Sequence, residues 1–179
     1  MKARKIFAML GNILSNKLKK YSLYFIALII LLAIGIFNYY LLMAAIFSIL
    51  DFISSYVDMH FKVDLLFDFA LIGIIMLSYF DMFNLTYIIV SCWLLSRLYN
   101  GNFENRHISK IPIFFIIGLC AVQFNAPLAL LGPILVGFRF LLEYFIDFIL
   151  KGSVDVRRIP RRALHMIAAI VFFGSVGGA

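Results

Sequence analysis

Seven apolar runs, at 21–37, 40–57, 64–80, 84–99, 111–124, 127–150 and 163–178, occupy most of the chain and constrain its fold more than any other feature. A bilayer crossing by a helix takes about 20 apolar residues, with about 17 as the practical minimum. Six of these runs read as crossings and the last as a shorter one. Composition points the same way: 64% of the 179 residues are hydrophobic and 14% charged, with a mean hydropathy of +1.03. A soluble domain is about half apolar and about a quarter charged, so a water-soluble fold could not hide this much apolar surface. Turn-forming residues separate the runs: Asn38, Asp81 to Asn84, Asn100-Gly101-Asn102, Asn125 to Pro127, and Arg157 to Arg162 around Pro160.

Threading the runs alternately across a bilayer sorts the basic residues. With the amino terminus inside, the inner set holds Lys2, Arg4, Lys5, Lys17, Lys19, Lys20, Lys62, Arg97, Arg106, Lys110, Lys151, Arg157, Arg158, Arg161 and Arg162. That is fifteen of the sixteen lysines and arginines, and the outer loops hold none. The exception, Arg139, falls within a run. The sequence therefore predicts a multi-pass protein of the cell membrane with a cytoplasmic amino terminus. The net charge of +7 follows from this bias and from anionic headgroups at the inner surface, and calls for no nucleic acid.

The expected fold is all-α, a polytopic membrane bundle of six transmembrane helices plus a short seventh, preceded by an interfacial amphipathic helix. Residues 1–20 form that helix, with Ile6, Phe7, Leu10, Ile13 and Leu14 at helical spacing among lysines and arginines. They lack the uninterrupted apolar stretch and small-residue cleavage site of a signal peptide. Residues 21–150 form the six-helix domain, and 151–179 a basic loop and a short carboxy-terminal helix. The run at 163–178 ends Gly174-Ser175-Val176-Gly177-Gly178, which suits a short span, a re-entrant piece or a helix completed by a partner. Cys92 and Cys120 lie inside apolar runs, where a thiol behaves as a small hydrophobe.

Ionisable groups inside membrane runs cost a few kcal/mol each, so each is a candidate for function. Asp51 lies in the second run, and Asp64 and Asp68 open the third, four residues apart and so on one helix face. In the sixth, Arg139, Glu143 and Asp147 recur every four residues as one polar stripe. By threading, all of these fall in the cytoplasmic half, which predicts an inward-facing polar cavity. Asp51, Asp64 and Asp68 are candidate ligands for Mg2+ or Mn2+, hard cations that take oxygen donors. Asp68 is the candidate catalytic residue, and Arg106, Lys110 and Arg139 are candidate substrate-binding residues. Asp58, His60 and Asp155 read as loop residues and His165 as interfacial. The sequence contains no glycine-rich phosphate loop, nucleophile elbow or His-Glu-x-x-His pair.

Over residues 5–150 this layout resembles the CDP-alcohol phosphatidyltransferases. That family joins an amphipathic helix to six membrane helices, with a motif Asp-x-x-Asp-Gly-x-x-Ala-Arg, a spacer, and Gly-x-x-x-Asp-x-x-x-Asp. Asp51 stands at the first aspartate, and Asp64 and Asp68 at the closing pair. Ser54 replaces the second aspartate, Ser55 the glycine, the Ala-Arg pair is absent and the spacer is several residues short. The resemblance implies metal-assisted transfer of phospholipid headgroups at the cytoplasmic face, with membrane lipids as partners. Two other functions suit the same residues. Arg139, Glu143 and Asp147 with Asp51 opposite could line a path for an ion or small solute, or the chain could be a subunit of a homodimer or a larger membrane complex.

Overall fold

The computed structural model describes residues 38–61, 67–101, 103, 105–153 and 156–177, and also places Ile26, Ile29, Ile30 and Ala33 in helical conformation. The expected amphipathic helix over 1–20 lies outside the described residues. Among the described residues the chain is all-helical. The helices are α1 Tyr39–Phe61, α2 Phe69–Tyr79, α3 Thr86–Asn100, α4 Asn105–Gln123, α5 Leu128–Lys151 and α6 Ile159–Gly177. Single 3-10 turns at Phe83–Leu85 and Val156–Arg158 precede α3 and α6.

The polar punctuation sets the helix ends. Asn38 caps α1, its Oδ1 accepting from the backbone of Tyr40 at 3.0 Å and Leu41 at 3.2 Å. Asp68 caps α2 in the same way, accepting from Leu71 N at 3.2 Å. Gly101 and Gly152 close α3 and α5 with positive φ, 74° and 65°, a conformation glycine adopts without strain. Pro160 falls in the first turn of α6, where a missing backbone N–H costs nothing.

Among the described residues three helices, α1, α5 and α6, are long and apolar enough to cross a membrane. The expectation of six crossings plus a short seventh is therefore met only in part. Helix α2 has 11 residues and α3 has 15, against the roughly 20 of a full crossing. The third apolar run was expected to begin at 64, but the Asp68 cap starts the helix at Phe69. The last run moves the other way. Expected to be a short span, it becomes a 19-residue helix because Pro160, Arg161 and Arg162 join its first turn.

Helix α2 sits at the centre of the bundle, packed by α1, α3, α4 and α5. It is apolar all round, as a buried helix must be, and Leu71, Ile74, Ile75 and Leu77 are fully enclosed. The most extensive pairing joins α5 to α6. There Gly132 admits the enclosed ring of Phe173, which a Cβ at that position would overlap. The outer faces stay apolar: Leu130, Ile134, Leu141 and Phe145 on α5, and Ile167, Ile170 and Val171 on α6, are exposed. Continuous apolar surface of this kind suits lipid rather than water and points to a membrane protein.

Candidate functional site

A cavity of about 310 Å³ opens at the end of the bundle where α1 and α3 finish and α2, α4 and α6 begin. Two polar clusters build its walls.

The first joins α1 to α3. Ser48, Asp51 and Ser55 lie three and four residues apart on one face of α1, and Ser96 and Asn100 lie four apart on α3, so the two faces meet as a ladder. Ser96 Oγ lies 3.2 Å from Asp51 Oδ2, Arg97 Nη2 donates to Asp51 Oδ1 at 3.4 Å, and Asn100 Nδ2 donates to Ser55 Oγ at 2.9 Å. Asp51 is only 2% exposed, so Arg97 supplies the countercharge that its burial demands.

The second cluster joins α2, α5 and α6. Arg139 lies midway along α5 and reaches the start of α2, its Nη1 donating to Asp68 Oδ2 at 2.5 Å. Its Nε donates to Glu143 Oε1, one turn on, at 2.9 Å. Arg162, from the first turn of α6, donates through Nη2 to Glu143 Oε2 at 2.9 Å and lies 3.8 Å from the Tyr144 ring centroid. Lys110 Nζ approaches Glu143 Oε1 at 3.9 Å. Glu143 thus meets three cations, while Asp68 meets Arg139 and its own helix end.

Of the residues singled out in the sequence, Asp51, Asp68, Lys110, Arg139 and Glu143 line this one cavity. Asp147 does not. It lines a small adjoining pocket of about 60 Å³ and stands 3.9 Å from Arg158. Arg106 lies in the first turn of α4, and its side chain, like Asp64, lies outside the described residues. The structure also brings in residues that the sequence reading had set aside. Asp58 and His165, read as loop and interfacial, line the cavity, as do Trp93, Arg97, His107, Arg158, Arg161 and Arg162. One signal for part of this was present: Ser96 and Asn100 match the spacing of Asp51 and Ser55. Nothing in the sequence marked Arg162 out from its basic neighbours.

The lining carries six lysine or arginine side chains, Arg97, Lys110, Arg139, Arg158, Arg161 and Arg162, against four carboxylates, Asp51, Asp58, Asp68 and Glu143. With neutral histidines the formal excess is two positive charges. Among the described residues no three Asp, Glu, His or Cys side chains converge as metal ligands, and Asp51 and Asp68 each face a guanidinium. This donor set suits an anion better than a divalent cation. No family model, curated protein or solved structure matches the chain.

A narrow fissure of about 10 Å³ adjoins the cavity. The two share Phe67, Asp68, Arg139, Phe140 and His165, and the remaining walls of the fissure are Leu71, Ile72, Val136 and Ala169. Cationic space therefore gives way to an apolar seam between α2, α5 and α6.

Proposed function

We propose that this chain is a membrane protein that binds the phosphate-bearing headgroup of a lipid in its polar cavity. The observation that carries the reading is the excess of two positive charges around a cavity of this size, sunk into a bundle with an apolar exterior. A phosphate monoester carries up to two negative charges and accepts bidentate bonds from guanidinium groups. The adjoining seam suits the lipid's apolar part, with the acyl chain along its outer lip because the fissure itself is narrow. The orientation we propose follows from the basic residues: the cavity faces the cytoplasm, with the loops at Asn38, Asp81 and Asn125 outside and the short helices α2 and α3 completing the crossings.

Native mass spectrometry of the full chain released from membranes tests this reading. The wild type is expected to retain anionic phospholipid, and the Lys110→Gln/Arg161→Gln double variant to lose most of it. Equal retention of neutral and anionic lipid by both proteins would contradict the proposal.

A second reading, headgroup transfer assisted by Mg2+ or Mn2+, draws on Asp51 and Asp68 lining the same cavity and on the family resemblance. Asp64 would complete its ligand set. Release of a headgroup product that requires a divalent cation and disappears in Asp51→Asn is its test.

A further inference from the structure

We infer that Asp68 occupies the anion seat on Arg139 when the cavity holds no ligand, and that the bound phosphate takes this seat by displacing the carboxylate. The inference rests on the anion reading above and adds to it the group that controls affinity.

Three observations lead there. Arg139 is the most enclosed cation of the cavity by side chain among those paired, 5% exposed, and Asp68, 21% exposed, lies over its Nη1. A ligand that takes the Nη1 donor must displace Asp68 from it. The pair also lines both the cavity and the apolar fissure, so an amphiphile with its phosphate in one and its chain along the other must cross it. Third, the other carboxylate on Arg139 is held more firmly, since Arg162 and Lys110 also approach Glu143. Asp68 is the partner that can leave.

Energetics allow the exchange. Removing one member of a buried ion pair costs several kcal/mol because the other charge is left uncompensated. A phosphate that replaces the carboxylate keeps Arg139 neutralised throughout, so displacement avoids that cost. The remaining cost is the loss of the Asp68 pairing, which lowers the apparent affinity as any closed state does. Asp68 remains at the helix start, where Oδ1 caps Leu71.

The test uses Trp93, the single tryptophan of the chain, which lines the cavity. Its fluorescence is followed in the full chain in phosphatidylcholine nanodiscs during titration with dioctanoylphosphatidic acid and, separately, with inorganic pyrophosphate. Asp68→Asn removes the charge and keeps the cap, since asparagine caps as well as aspartate. Asp68→Ser also caps and serves as the second variant. Asp58→Asn, on the α1 side of the same cavity, controls for net charge.

Both Asp68 variants are expected to tighten binding about tenfold, or about 1.4 kcal/mol, and Asp58→Asn by less than about threefold. Tightening in the pyrophosphate arm as well identifies the phosphate as the displacing group. Tightening with phosphatidic acid alone identifies a lipid that needs its chain, and either result supports the inference. Unchanged or weaker binding by the Asp68 variants, with the wild type still saturable, overturns the inference and leaves the anion reading standing. Equal tightening by Asp58→Asn overturns it too, because net charge would then suffice. No saturable response by any protein to either probe overturns both.

Discussion

Arg162 and Glu143 join the two most closely packed helices through a charged contact, Nη2 to Oε2 at 2.9 Å, with the guanidinium lying over the Tyr144 ring. Because Glu143 also accepts from Arg139 and faces Lys110, one carboxylate compensates cations from α4, α5 and α6.

Glu143→Gln should therefore weaken the whole end of the bundle. An amide keeps one acceptor and loses the charge, leaving Arg139 and Arg162 undercompensated. Breaking a buried pair costs about 3–5 kcal/mol, and the retained acceptor puts this change near the lower limit. At about 3 kcal/mol the thermal midpoint in nanodiscs should fall by roughly 6–12 °C for a chain of this size. An unchanged midpoint would show that the contact carries no stability.

Gly132→Ala probes the α5–α6 pairing at its apolar end. The added methyl overlaps the enclosed Phe173 ring, and overpacking of this kind costs about 1–3 kcal/mol. Phe173→Leu in the same background should recover part of the loss, because the smaller side chain can withdraw. The check is the thermal midpoint of the double variant, expected above that of Gly132→Ala alone.

Much of this arrangement is legible in the sequence. Asn38, Gly101 and Pro127 mark helix ends because capping and turn chemistry are local, and the four-residue spacing of Arg139 and Glu143 places both on one face of α5. Helix length was less legible. Hydropathy runs continuously through 64–80, whereas the α2 start depends on a single side chain, Asp68, folding back onto Leu71. Arg97 and Arg162 were hidden for a different reason. A bias toward positive inner loops accounts for basic residues as a group and gives no ground for selecting the two that turn into the bundle. Their partners lie 46 and 19 residues away, beyond any local pattern.

Orientation is tested by labelling. In a background with Cys92 and Cys120 replaced, single cysteines at Asn38 and Asn125 should react with an impermeant maleimide added outside intact cells. A cysteine at Ser153 should react only after permeabilisation. Asn125 and Ser153 are both exposed and lie at opposite ends of α5, so the pair reports its direction. Outside labelling at Ser153 would invert the proposed topology.

The Asn100–Ser55 rung of the polar ladder between α1 and α3 is expected to matter for packing more than for binding. Asn100→Ala removes the donor to Ser55 and should cost about 1 kcal/mol of stability. Its affinity for phosphatidic acid should stay within about twofold of the wild type, since neither Asn100 nor Ser55 lines the cavity. A large loss of affinity at constant stability would move the ligand toward α3.

The most direct measurement compares two lipids that differ only in the phosphate. Wild-type protein in phosphatidylcholine nanodiscs is titrated with dioctanoylphosphatidic acid and with dioctanoylglycerol while Trp93 fluorescence is recorded. A saturable response to the acid that weakens with added salt, and no saturable response to the glycerol, is the predicted result. Equal responses to both lipids would contradict the claim that the cationic cavity recognises a phosphate.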